Sequence, residues 1–395
     1  MRLVWSLLIL GASISEIPIQ GASIGDWDDG DWGDWGETTL DRDETDRTED
    51  ATGEVTCPEL KWPAFSPFKT NPVNTKCWEE VKPSFRLYLS QGNGTLIQDT
   101  NSEGLTLQNH TEVSIKHLVV IIHGFIGHAE VGESYWAHQM SNLILEEDTV
   151  HQPGLAVLTV DWKYGAAFVG SYEVAAANSR YVGVATQRVV RQLLHQEEEQ
   201  EDVYIHCIGY SLGAHACGFF GNAVTNDTDY LKASIDRITA LDPAGPLFTK
   251  ENFGIFNFIS DSPGPLGAES LRDYERLDKT DAVKVDVIHS DSDGFGTVQS
   301  VGQADFYVGD SLENLGTSQA GCWNMNTVCD HSRVKDLMRF SVRKQNQCWA
   351  NLTCGGQTGT RGCSSPADLR PGLHFGYWWD GREGNYGVVL QGEQC

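Results

Sequence analysis

One segment narrows what this chain can fold into more than any other: Val203-Tyr-Ile-His-Cys-Ile-Gly-Tyr-Ser-Leu-Gly-Ala-His215. It reads as a β-branched strand running into Gly209-x-Ser211-x-Gly213, then a small-residue helix from Ala214 through Phe220. A serine on a sharp strand-to-helix turn sits in strained backbone, and glycines two residues either side let neighbouring chain pass close by. The turn exposes the hydroxyl and aims the next helix's N-terminus at charge that develops during attack. A bare G-x-S-x-G arises by chance in many chains. Its place between a strand and a helix makes Ser211 a candidate nucleophile.

A serine hydroxyl is a weak nucleophile and needs an acid and a base beside it. In α/β-hydrolases these follow in the order Asp or Glu, then His. The next strong strand, Arg237-Ile-Thr-Ala-Leu241, ends at Asp242-Pro-Ala-Gly-Pro246. A carboxylate at the carboxyl end of a sheet strand shares a rim with the nucleophile turn, although an aspartate before proline also serves as an ordinary turn or cap. Three downstream histidines compete for the base. His331, in Cys329-Asp-His-Ser-Arg333, opens a helical pattern; His289 ends the strand Val285-Asp-Val-Ile-His289; His374 lies in a glycine-rich tail. The apolar run Leu118-Val-Val-Ile-Ile122 has the length of a buried parallel strand and ends in His123-Gly124-Phe125. A backbone N–H after that glycine, with the N–H of Leu212, would face a substrate oxygen, unless Gly124 only ends the strand.

At this point the chain resembles the pancreatic lipase family of secreted α/β-hydrolases. The matching segments are Val119-Val-Ile-Ile-His-Gly-Phe125, Val160-Asp-Trp162, Ile208-Gly-Tyr-Ser-Leu-Gly-Ala-His215, Leu241-Asp-Pro-Ala-Gly-Pro246 and Val285-Asp-Val-Ile-His-Ser290. Ala304-Asp-Phe-Tyr307 and Cys329-Asp-His-Ser-Arg333 complete the set, in family order. The resemblance implies a mostly parallel central sheet flanked by helices. It makes Ser211 the nucleophile, Asp242 the acid that orients the imidazole and His331 the base. Phe125 and Leu212 become the oxyanion donors. Tyr210 departs from the histidine usual before the serine, and we expect it to pack near the turn rather than do chemistry.

Residues 1–23 have the basic start, apolar run and small-residue end of a secretory signal peptide. Ten cysteines fit an oxidising compartment, and acceptor sequons at Asn93, Asn109, Asn226 and Asn351 agree with export. We therefore expect a secreted glycoprotein. Residues 24–55 form an acidic, tryptophan-bearing leader with too few aliphatic residues to fold. Residues 56–395 are read as one catalytic domain, because the 64 residues after His331 leave no room for the C-terminal β-sandwich of longer relatives that meets colipase. The net charge of −27, with no basic cluster, argues against nucleic-acid or heparin-type partners. The expected partner is lipid at a membrane or micelle surface.

In the family a disulfide-bounded lid covers the serine. Here the equivalent bracket is Cys322 and Cys329, holding six residues. The second covering loop, from Asp291 to Val301, is also short. Two truncated covers resemble the phospholipase A1 branch, in which an open cleft admits a polar headgroup; a triacylglycerol lipase or galactolipase is the alternative, and a silent lipid-binding protein on the same fold is more remote. The Phe253–Ile259 insertion stands as either a substitute cover or a surface loop. Asp273, Asp278 and Asp281 gather carboxylates around a turn, the donors that Ca²⁺ accepts. The resemblance adds the Arg276 carbonyl and makes the ion structural; no cofactor is expected for catalysis. Cys57 and Cys77 are expected to bridge the N-terminal segment, and two disulfides to staple Cys348, Cys354, Cys363 and Cys395. Cys207 and Cys217 read as buried free thiols.

Overall fold

The computed structural model describes residues 81–97, 114–132, 135–166, 172–194, 203–227, 234–249, 276–322, 326–343, 349–350, 352–354 and 373–390. The signal and leader segments, the 253–265 insertion, Asp273, Asn109, Asn351, Cys57, Cys77, Cys348, Cys363, Cys395 and residues 323–325 lie outside them.

Hydrophobic runs of four to six β-branched and aliphatic residues form the middle of one ten-stranded sheet. In chain order its members are β1 (Ser84–Tyr88), β2 (Thr95–Ile97), β3 (His117–Ile122), β4 (Leu155–Asp161), β5 (Tyr204–Tyr210) and β6 (Arg237–Leu241). β7 (Lys284–His289), β8 (Ala304–Gly309), β10 (Leu352–Thr353) and β12 (Gly384–Val389) complete it, while β9 (Trp349–Ala350) pairs with β11 (Leu373–His374). The spatial order is β10-β12-β8-β7-β6-β5-β3-β4-β1-β2, and pairings from β4 across to β12 are parallel. β1 and β10 run antiparallel to their inner neighbours. The segment after His331 thus supplies strands to the same sheet as the nucleophile.

Among the described residues the α-helices are α1 (Trp136–Glu147), α2 (Lys163–Ala166), α3 (Tyr172–Leu194), α4 (Leu212–Thr225) and α5 (Thr327–Arg343). Every residue of β3 is buried, as a strand covered on both faces requires. Leu118, Val120 and Ile122 join the apolar layer that contains α3 and α4 residues. Val119 and Ile121 join the opposite layer, with α1 and α5 residues. Each such aliphatic side chain contributes about 1.5–3 kcal/mol by leaving water. α4 fits close to α3 because Gly183 has no side chain: a methyl there would meet the Ala216 carbonyl at 2.7 Å. This is the architecture of an α/β-hydrolase.

Strand order decides where a site can form. From β3 the chain steps to β4 on one side, then crosses to β5 on the other. Adjacent strand ends therefore part at the β3/β5 junction, where open α/β sheets place ligands. Ser211 follows β5, and Gly124 follows β3. Among the described residues no helix is long and apolar enough to cross a membrane.

Candidate active site

Ser211 carries φ 56° and ψ −119° at the head of α4, a conformation that L-residues seldom adopt. The flanking glycines allow it. A methyl on Gly209 would collide with the Gly213 carbonyl, and one on Gly213 would collide with the Ile122 carbonyl of β3. The Ser211 N–H donates to the Leu241 carbonyl at 3.0 Å, tying the turn to the end of β6. Cys207 and Cys217 are disulfide-bonded to each other, which corrects their reading as free thiols. Strand and helix double back at the serine, so residues ten apart in sequence come within 5.8 Å at their Cα atoms.

Asp242 directly follows β6, also at positive φ (44°), and is fully buried. Its Oδ1 accepts the N–H groups of Ser290 at 2.9 Å and Asp291 at 3.2 Å. Its Oδ2 lies 2.6 Å from Nδ1 of His331 on α5. With Nδ1 engaged by the carboxylate, Nε2 is the nitrogen left for a second partner. Tyr210 packs beside this pair, its ring 4.9 Å from that of His331 and edge-on to Trp136. The rival His289 is buried elsewhere, held by Asp305 Oδ1 at 2.8 Å and the Thr297 carbonyl at 2.7 Å. His374 packs tilted against the Trp349 ring, 4.0 Å between centroids.

The loop after β3 is fixed by a part of the sequence that carries no chemistry of its own. His123 accepts the Trp162 N–H on Nε2 at 3.0 Å, and its Nδ1 lies 2.9 Å from the Gly124 carbonyl. The Trp162 indole donates to the His123 carbonyl at 2.8 Å. Gly127 N–H closes onto the Gly124 carbonyl and Ile126 N–H onto Ala166, with Phe125 between them. Gly124 passes so near the serine that a methyl on it would lie 2.8 Å from Ser211 Cβ. Leu212 opens α4, where the first N–H groups have no partner within the helix.

Sequence reading missed Asp291. This residue is 1% exposed, and one of its oxygens lies within 4.8 Å of both an Asp242 oxygen and a His331 nitrogen. Burial and the charge of Asp242 push its carboxyl up to about 10. Burial likewise lifts Asp330, next to His331, to about 6. The signal was an aspartate two residues past the strand end Val285–His289, legible only once β6 and β7 are known to be neighbours.

Elsewhere Cys322 and Cys329 are bonded, closing the loop that leads into α5. Cys354 is also in a disulfide. Asp278 Oδ1 accepts the Thr280 N–H and Asp281 Oδ2 the Asp278 N–H, both at 2.8 Å, while Arg276 donates to the Phe248 carbonyl and Gln299. His215 joins this turn to α4: Leu277 N–H donates to its Nδ1 and its Nε2 meets the Ala244 carbonyl. Burial drops its pKa to about 3. Of the described sequons, Asn93 is exposed, and the exposed Asn226 caps the end of α4.

The Lipase family profile matches residues 53–254 and 261–352, most of the chain and all of the strand ends just described. This chain belongs to the pancreatic lipase family. Lipase member H-A of Xenopus laevis is 33% identical over 270 residues, spanning 67% of this chain and 49% of that protein. Human pancreatic lipase-related protein 2 is 32% identical over 270 residues, covering 66% of this chain and 48% of its own length. The chain thus spans about half the length of these relatives. Among solved structures, an esterase from Pyrobaculum calidifontis overlaps 52% of this chain and 64% of its own at 14% identity and a TM-score of 0.29, too partial an overlap to speak for chemistry.

Proposed function

We propose that this lipase-family chain is a secreted serine esterase that hydrolyses the sn-1 ester of phospholipids. The observation that carries the esterase reading is Ser211, on a strained turn beside the strand end whose Asp242 holds His331 at 2.6 Å. His331 Nε2 takes the proton of Ser211 Oγ as that oxygen bonds to the acyl carbon, and Asp242 holds the tautomer and the imidazolium. The N–H groups of Phe125 and Leu212 receive the oxyanion. Collapse expels the lysophospholipid alcohol, protonated by His331. Water, activated by the same imidazole, then cleaves the acyl-enzyme.

The phospholipid reading rests on the cover. Six residues between Cys322 and Cys329 cannot form an amphipathic helix of useful length. The cleft then admits a headgroup, and no long lid need swing away. Phosphatidylcholine labelled differently at its two acyl positions, tested beside emulsified triolein, checks this. Release of the sn-1 chain with little triolein cleavage is expected. A sharp rise in rate at the triolein interface with negligible phospholipid cleavage would instead make the chain a triacylglycerol lipase.

For Ca²⁺, Asp278 and Asp281 offer hard oxygen donors on one turn, and the family resemblance would add the Arg276 carbonyl and Asp273, the latter outside the described residues. That turn rests on the glycine face of α4, where Gly218 and Gly221 give Asp281 its room. A cation there would stiffen the helix behind the nucleophile.

A further inference from the structure

Asp291 has no part in the mechanism above, yet it touches the His331 surroundings by two routes. Its main-chain N–H donates to Asp242 Oδ1. Its side-chain Oδ2 accepts the Phe295 N–H at 2.7 Å, and its carbonyl accepts from Gly294 and Gly296. These bonds curl residues 291–296 into a tight turn with the two carboxyl groups inside it. A methyl on Gly294 would strike the Asp291 carboxyl, and one on Gly296 would strike that of Asp242. At the tip of the curl the Phe295 ring lies 5.6 Å from the imidazole of His331. The loop expected to leave the site open therefore contributes an aromatic wall to the base.

We propose that Asp291 is a positioning residue for the Asp242–His331 pair, acting through the turn it anchors and the Phe295 ring laid against the imidazole. The inference rests on the roles proposed above for Ser211, Asp242 and His331. The charged and titratable groups facing Asp291 are Asp242 from the end of β6, Asp293 from its own turn, and Asp330 and His331 from α5. A second carboxylate charge beside Asp242 would strengthen the pull on the imidazole proton and make His331 a poorer donor to the leaving group. Burial and the acidic neighbours push the Asp291 carboxyl up to about 10, which favours its protonated form at neutral pH and avoids that second charge.

The test measures kcat, KM and melting temperature on a soluble short-chain ester for D291N, D291A, F295A and D291A/F295A, with S211A as the control. D291A and F295A should each lower kcat on the order of 10- to 100-fold by loosening the imidazole, with KM moving less. The double variant should be no slower than the worse single, because both changes break one linkage. D291N should recover most of the kcat lost in D291A, since an amide oxygen can also accept the Phe295 N–H. Its acid limb of kcat/KM against pH should stay at the wild-type position. Additive losses in the double variant would overturn the proposal, as would D291N as slow as D291A or a D291N limb displaced by more than about one pH unit. If D291A fails to fold, F295A and D291N decide: wild-type kcat in F295A overturns it. Turnover by S211A would instead remove the serine reading beneath it.

Discussion

Among the described non-glycine residues at positive φ are Ser211 and Asp242, each directly after a sheet strand, and both are candidates for the reaction. Such backbone costs of order 1–3 kcal/mol per residue and persists only where its surroundings dictate it. Here the Ser211 N–H bond to Leu241 and the Asp242 N–H bond to Ile288 supply that constraint. Ser211→Ala should lower kcat on the order of 10⁶-fold while leaving fold and melting temperature unchanged. Measurable turnover near the wild-type rate would rule out the serine mechanism. The two histidines should separate by observable. His331→Ala should abolish turnover and leave the fold. His289→Ala should keep most of kcat in the folded fraction but lose about 2–5 kcal/mol of stability, because it empties a fully buried ring site and removes one of the hydrogen bonds that Asp305 makes. Urea unfolding and initial rates on the same preparations check both.

α4 is held from three sides: by the glycine packing against α3, by the Cys207–Cys217 disulfide to β5, and by the turn at residues 276–281. Removing the disulfide as a Cys207→Ala/Cys217→Ala pair should cost about 2–3 kcal/mol, the value for closing a loop of this length. The cost should appear in the melting temperature and, because the bridge spans the nucleophile turn, in kcat as well. Unchanged values for both would show that packing alone sets the turn. Ca²⁺ should act on the same element from outside. At a hundredfold excess over its dissociation constant it would add about 2.7 kcal/mol. A melting temperature indifferent to chelator, in protein shown by metal analysis to be calcium-free, would count against the ion.

Across the whole molecule, the reactive rim and a second polar cluster occupy opposite ends of the sheet. At the far end Arg237 grips Asp286 with both its Nε and Nη2 nitrogens, and Tyr377 donates to Asp148, which also pairs with His151. The His117 ring lies tilted against that of His151 there, 4.0 Å between centroids, and burial drops its pKa to about 4. In the unfolded chain His117 titrates near its ordinary 6.5. Between those values the unfolded state binds the extra proton, so stability falls as pH drops from about 6.5 to 4, on the order of 3 kcal/mol from this residue. Asp148 behaves differently. Burial raises its pKa, but the hydrogen bonds from His151 and Tyr377 outweigh that and hold it below 3.8. Its contribution is present above 3.8 and fades only under more acid conditions. Denaturation midpoints should therefore slope downward from pH 6.5. His117→Phe, which keeps a ring against His151 and Tyr204, should make the slope shallower, the buried His206 and His215 still contributing to it, and an unaltered slope would refute the assignment.

Local chemistry was readable from the chain because it repeats within short windows. A β-branched run before a glycine-flanked serine makes one kind of turn, and Asp242 and His331 lie in segments whose order matches the family. Strand boundaries at Leu118–Ile122 and Arg237–Leu241 followed from apolar runs bounded by glycine and proline. What the windows could not contain was adjacency. Cys207 and Cys217 look like buried thiols until strand and helix fold back on each other around Ser211. Asp291 and Phe295 read as an ordinary loop until β6 and β7 lie side by side and bring their ends to Asp242. His123 and Trp162 meet only because β3 and β4 pair in parallel. Side-chain type and spacing are properties of the sequence, but which strand ends share a rim is set by sheet order, and that depends on packing both faces of the whole sheet at once.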